Sequence, residues 1–246
     1  MLFSTFQFFV TTLLAAVCAR VISVSEGDLP ILALIIPVLW LIPNWGVSAL
    51  MLLGSVTVYG LTLPHQPISL SVGLWILFPL LMVVFSRRSS IGVIATTTLI
   101  VITLLVGIMV TQSGEKLGGT GFTTLIQALS IIMGWWALRQ WKPTKKHGWW
   151  ALVLLLPFWI AGLIHAALFS LCVIGIMATM ENLVKLKTFR WGKLLCWTIP
   201  TVGFTALVLA PNAELPKPVF VVWLCLLGTA WMTDYILRSV ENNEEI

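Results

Sequence analysis

The sequence predicts an all-α polytopic integral membrane helix bundle of about ten transmembrane helices, with both termini cytoplasmic. Three observations predict it. The 246 residues are 59% hydrophobic and only 9% charged, against about 25% charged in soluble domains. The apolar residues form long runs parted by short turns rich in Pro, Gly and Asn. The basic residues gather beside alternate turns, as cytoplasmic loops of membrane proteins do.

The run from Gly148 to Met180 sets the orientation. It carries no full charge and lies between Arg139–Lys146 and Lys185–Lys193. One helix of that length would be roughly 50 Å long, against a hydrocarbon core of about 30 Å. With basic clusters at both ends, the chain must enter the membrane and return, turning near Gly162 to His165. Both clusters then face the cytoplasm.

The remaining elements follow in order. Residues 5–24 make the first span, and the N-terminus lacks the basic region and cleavage site of a signal peptide. After the acidic turn around Glu26 and Asp28, residues 29–63 are divided by Pro43-Asn44-Trp45-Gly46 into spans 29–42 and 46–63. The turn Pro64–Pro67 leads to span 68–86, which ends at Arg87-Arg88. Span 91–111 runs into a glycine-rich loop, and span 122–140 returns to the basic cluster. The hairpin supplies spans seven and eight. Span nine is 194–210, and span ten, 219–237, follows the turn Pro211–Pro218. Ten spans place Arg87-Arg88, Arg139–Lys146, Lys185–Lys193 and Arg238 on one face, with Glu26, Asp28, Glu115 and Glu214 on the other. Eight or nine spans are the alternatives.

The chain reads as a single transmembrane domain, 1–246. Split at the glycine-rich loop, it gives halves of five spans, 1–111 and 121–246, inserted in opposite orientations. That is the arithmetic of an inverted repeat, common among secondary transporters. In span count alone the chain resembles the drug/metabolite transporter superfamily. Residues 46–88 and 197–239 also look alike, as two spans around a Pro-flanked turn. Their shared orientation points instead to serial hairpins.

Few residues could carry chemistry. Burying charge in lipid is costly, so intramembrane ionisable groups are the first candidates for function. Arg20 lies near the outer end of span one, where it pairs with Glu26 or Asp28 or snorkels to headgroups. Glu181 with Lys185, and Asp234 with Arg238, have the i,i+4 spacing of interfacial ion pairs. His165 is the only histidine inside an apolar run and could relay protons or serve the turn. Thr98 stands for the threonines of span five, Gln127 and Ser130 for span six, and Thr201 for span nine. Such hydroxyls bond their own backbone or a neighbouring helix. Pro79, Pro157 and Pro200 should kink their helices or free carbonyls. The substrate-pathway candidates are therefore Arg20, Thr98, Gln127, Pro157, His165 and Thr201. The 13 tryptophans cluster near expected interfaces, where aromatic belts account for them.

Cys18, Cys172, Cys196 and Cys225 all fall in apolar runs without metal-ligand spacing and read as buried thiols. No catalytic or nucleotide-binding motif occurs, so no catalytic residue, cofactor or metal is expected. The basic loops fit anionic headgroups and topology, not nucleic acid. The bilayer is the expected partner, with partner membrane subunits as a further expectation. These features favour a multi-pass bacterial inner-membrane permease or exporter for an uncharged, amphipathic or lipid-like substrate. A non-catalytic subunit or assembly factor of a membrane complex is the alternative, and an intramembrane enzyme is the least supported.

Overall fold

A computed structural model describes residues 2–25, 29–41, 46–85, 89–113, 118–140, 149–184 and 191–209, with helical positions 221, 222, 224, 225, 228, 229 and 232 beyond them. The chain is all-helical, with no strand among the described residues. In chain order the helices are α1 (Leu2–Ser25), α2 (Ile31–Leu41), α3 (Val47–Thr62), α4 (Ile68–Val84), α5 (Ile91–Ser113), α6 (Gly121–Gln140), α7 (Trp149–Ile160), α8 (Ile164–Val184) and α9 (Trp191–Leu209). The helical positions past residue 220 fall inside the tenth expected span. Three helices, Val47–His65, Ile91–Val110 and Gly121–Gln140, are long and apolar enough to cross a membrane, and six shorter ones are also apolar. The tails, Arg87-Arg88, the cluster Lys142–Lys146 and the pairs of Glu181 and Asp234 with their basic partners involve positions outside the described residues.

Two helices tighten to 3-10 beside a proline, while Pro37 stays inside α-helical α2. Proline cannot donate to the i−4 carbonyl, and its ring crowds the preceding turn. In α4 the turn Leu74–Ile76 tightens to 3-10 just before Pro79. In α7 the 3-10 stretch Trp149–Leu155 precedes an α-helical end carrying Pro157 in its first turn. Pro200 stays inside α-helical α9. The expected hairpin is present between α7 and α8. Gly162 has φ 74°, a left-handed conformation that costs glycine nothing. Leu163 N–H closes the bend on the Phe158 carbonyl at 2.9 Å.

Lipid is as apolar as leucine, so helix association depends on close packing and small side chains. Ala19, Ala33, Ala137, Ala151, Ala166 and Ala206 are all buried, while Phe9, Leu50, Ile91, Leu99, Phe122 and Ile160 face outward. The most extensive packings are α3 on α6 and α1 on α8, both between the two halves of the chain. Side chains show how the helices run. Thr11 bonds Thr179 at 2.9 Å, and Leu14 sits against Gly175, so α1 and α8 are antiparallel. Ser55 sits against Gly134, and Gln66, just past α3, meets Thr124 near the start of α6, so these two are antiparallel as well. Phe85 and Arg139 meet at the far ends of α4 and α6: the guanidinium donates to the Phe85 carbonyl at 3.4 Å and lies over Trp135.

The packing has a regularity. Exchanging α1, α2, α3 and α4 with α6, α7, α8 and α9 carries α3·α6 onto α1·α8, α2·α3 onto α7·α8 and α1·α9 onto α4·α6. It leaves α4·α9 and α2·α7 unchanged. Among the described residues of these eight helices, α2 on α8, where Ser170 donates to the Ala33 carbonyl, lacks an extensive counterpart. The facing pairs 55 with 134 and 14 with 175 also have the same sum of residue numbers. An exchange that adds an offset in one half and subtracts it in the other preserves that sum, so the two crossings share one register.

Candidate functional site

A cavity of about 260 Å³ lies at the centre of the bundle. Its walls come from α1, α3 and α4 and from their exchange counterparts α6, α8 and α9, with α2 contributing Leu34 and Val38. Among the described residues no charged side chain lines it, and the polar groups are Cys18, Ser55, Tyr59, Trp75 and Ser130. A dry apolar cavity of roughly 150 Å³ suffices for benzene, so this one would hold a larger apolar body.

The stronger donors of the wall are already engaged. Ser55 donates to the Leu52 carbonyl at 2.9 Å, and Ser130 to the Ile126 carbonyl at 2.8 Å. Trp75 Nε1 donates to the Tyr59 hydroxyl at 2.7 Å. The Tyr59 hydroxyl in turn donates to the Ser71 carbonyl at 3.0 Å. This chain ties α3 to α4 beside its 3-10 turn, where helical bonding is weakest. Glycine brings the walls together: a methyl on Gly203 of α9 would sit 2.5 Å from Trp75 Cε3 on α4.

A second polar feature borders the cavity. On α6, Thr124, Gln127, Ile131, Gly134 and Leu138 recur at three- and four-residue spacing and so share one helix face. The last three line the cavity. At the other end the Thr124 hydroxyl lies 3.1 Å from Gln66 Oε1 and 3.0 Å from Gln112 Oε1. A hydroxyl carries one proton, so it can donate to only one of the two; turning the other amide lets its NH2 donate to Thr124. Gly119, with φ 104°, closes the corner, where a methyl would meet Gln112 Nε2 at 3.1 Å. Between cluster and cavity, Gln127 is fully buried, and neither amide atom has a hydrogen-bond partner. An amide buried unbonded costs roughly 2–7 kcal/mol, depending on the reference solvent.

Of the sequence-derived candidates, Gln127 alone is buried. Arg20, Thr98, Pro157, His165 and Thr201 are exposed on α1, α5, α7, α8 and α9, and none of the six lines the cavity. Thr96, Thr97 and Thr103 donate to the carbonyls four residues back, the self-bonding that threonine adopts in membrane helices. Gln66 and Gln112 read as loop residues in the sequence, and Tyr59 and Trp75 were not singled out there. Nothing in their spacing showed that the first pair would converge on Thr124 or the second on each other.

No family model matches the chain, and no solved structure matches it. Among curated proteins it is similar to the inner membrane protein YhaH of Escherichia coli K12 and to its namesake of Escherichia coli O157:H7. In each case the identity is 34% over 62 residues, covering 24% of this chain. The aligned stretch is 51% of each relative, so the chain spans about half the length of the curated relatives it matches. Taken with the apolar helices of spanning length, the likeness makes this chain a multi-pass protein of the inner membrane.

Proposed function

We propose that this protein is a permease for an uncharged, amphipathic or lipid-like molecule, bound in the central cavity and released by rocking of one half of the chain against the other. The observation that carries this reading is the cavity's position. It lies among three helices of the first half and their exchange counterparts in the second, with no charged wall residue among those described. Transporters built from inverted halves bind at that interface and alternate access by moving the halves around a fixed site. An apolar wall selects against charged solutes, because an unpaired ion there loses its hydration without compensation.

The test needs no known substrate. In a background with the four cysteines replaced, Ser55→Cys and Ser130→Cys put thiols on the cavity wall. Each should react with a membrane-impermeant maleimide in both right-side-out and inverted vesicles, and Val173→Phe, which adds bulk to the cavity wall, should suppress both reactions. Labelling from one side only, or from neither, would favour a static membrane subunit and sink the permease reading.

A further inference from the structure

We infer that Gln127, backed by the Thr124–Gln66–Gln112 cluster, is the headgroup subsite of the central cavity and takes an uncharged group that both donates and accepts hydrogen bonds, such as a primary amide or a hydroxyl. The inference rests on the permease reading and narrows its substrate class. Among the described wall residues the one donor left is the weak S–H of Cys18: the Ser55 and Ser130 hydroxyls and the Trp75 indole are each committed to protein acceptors, and the Tyr59 hydroxyl to Ser71. A ligand with an acceptor must find a stronger donor elsewhere. One helical turn from Ser130 and Ile131, on the same face of α6, stands a fully buried amide whose oxygen and nitrogen are both unbonded. Behind it, one of the Gln66 and Gln112 amides keeps an unbonded nitrogen and the other, turned to donate to Thr124, an unbonded oxygen. These groups are neutral, so they can match a neutral head but cannot balance a carboxylate or an ammonium group. The apolar body would fill the cavity, and the head would complete the hydrogen bonds that Gln127 lacks once the wall beside Ser130 and Ile131, which seals the amide off, gives way.

Radiolabelled octanamide binding to the purified protein in nanodiscs, with empty nanodiscs subtracted, tests this. Octan-1-ol, n-octane and octanoate serve as competitors. The wild type should bind octanamide saturably. Octan-1-ol should compete well, n-octane about tenfold less well, and octanoate not at all. Gln127→Leu should weaken octanamide about tenfold while leaving n-octane competition in place. Val173→Phe, on the cavity wall, should remove all binding. If Gln127→Leu keeps the preference for octanamide over n-octane, the headgroup subsite is overturned and the apolar cavity stands. If no probe binds the wild type saturably, the subsite and the cavity reading on which it rests both fall. Should Gln127→Leu not fold, Gln127→Met carries the same test, and equal competition by n-octane and octan-1-ol on the wild type alone overturns the inference.

Discussion

At the scale of single residues, the interior is held by a few hydrogen bonds with little redundancy. The Tyr59 hydroxyl accepts from Trp75 and donates to Ser71. Tyr59→Phe removes one oxygen and leaves two groups unpaired, so it should cost more than a single bond, about 1–3 kcal/mol. Adding Trp75→Phe removes one orphan, and the double variant should therefore be less destabilised than the sum of the singles. Reversible unfolding in mixed micelles measures both. Strict additivity would show that the two rings do not share this bond in the membrane. Burial decides Gln127 in the same way. The sequence flagged it as a polar residue in an apolar helix, but only the fold shows that its amide is sealed and unbonded.

At the scale of elements, the hairpin was the most legible feature, because its charge-free run is too long for one crossing and is bounded by basic residues at both ends. The bend at Gly162 follows. Ala161, exposed beside it, should label as Ala161→Cys with an impermeant thiol reagent added from the non-cytoplasmic side, in the cysteine-free background. Labelling only from the cytoplasm would overturn the topology. The prolines were legible as breaks, but their effects differ. Pro79 and Pro157 follow 3-10 turns, whereas α9 continues through Pro200. The sequence cannot separate these cases, since the outcome depends on whether neighbours satisfy the freed backbone.

At the scale of the whole molecule, the main packings, α3 on α6, α1 on α8 and α1 on α9, all join residues before the glycine-rich loop to residues after it. Within the first half only α2·α3 and α4·α5 pack extensively, and within the second only the α7–α8 hairpin among the described residues. Halves 1–111 and 121–246 expressed separately should therefore be degraded, and co-expressed they should accumulate and copurify. Stable accumulation of either half alone would show that it buries its own core, and that the cavity is not built by assembly of the two.

The sequence by itself determined that this chain lies in a membrane, where its turns fall, and which run must double back. These follow from the length and polarity of contiguous segments, and bilayer thickness acts on each segment separately. The cavity, the engaged wall donors and the convergence of Gln66, Gln112 and Thr124 were decided only by tertiary structure. Their members lie on different helices, from Cys18 to Val202, and hydropathy is nearly uniform along those helices. With lipid and protein interior alike in polarity, no amphipathic pattern marks the inward face. Small residues and single hydrogen bonds choose it, and these have meaning only once a partner helix is in place.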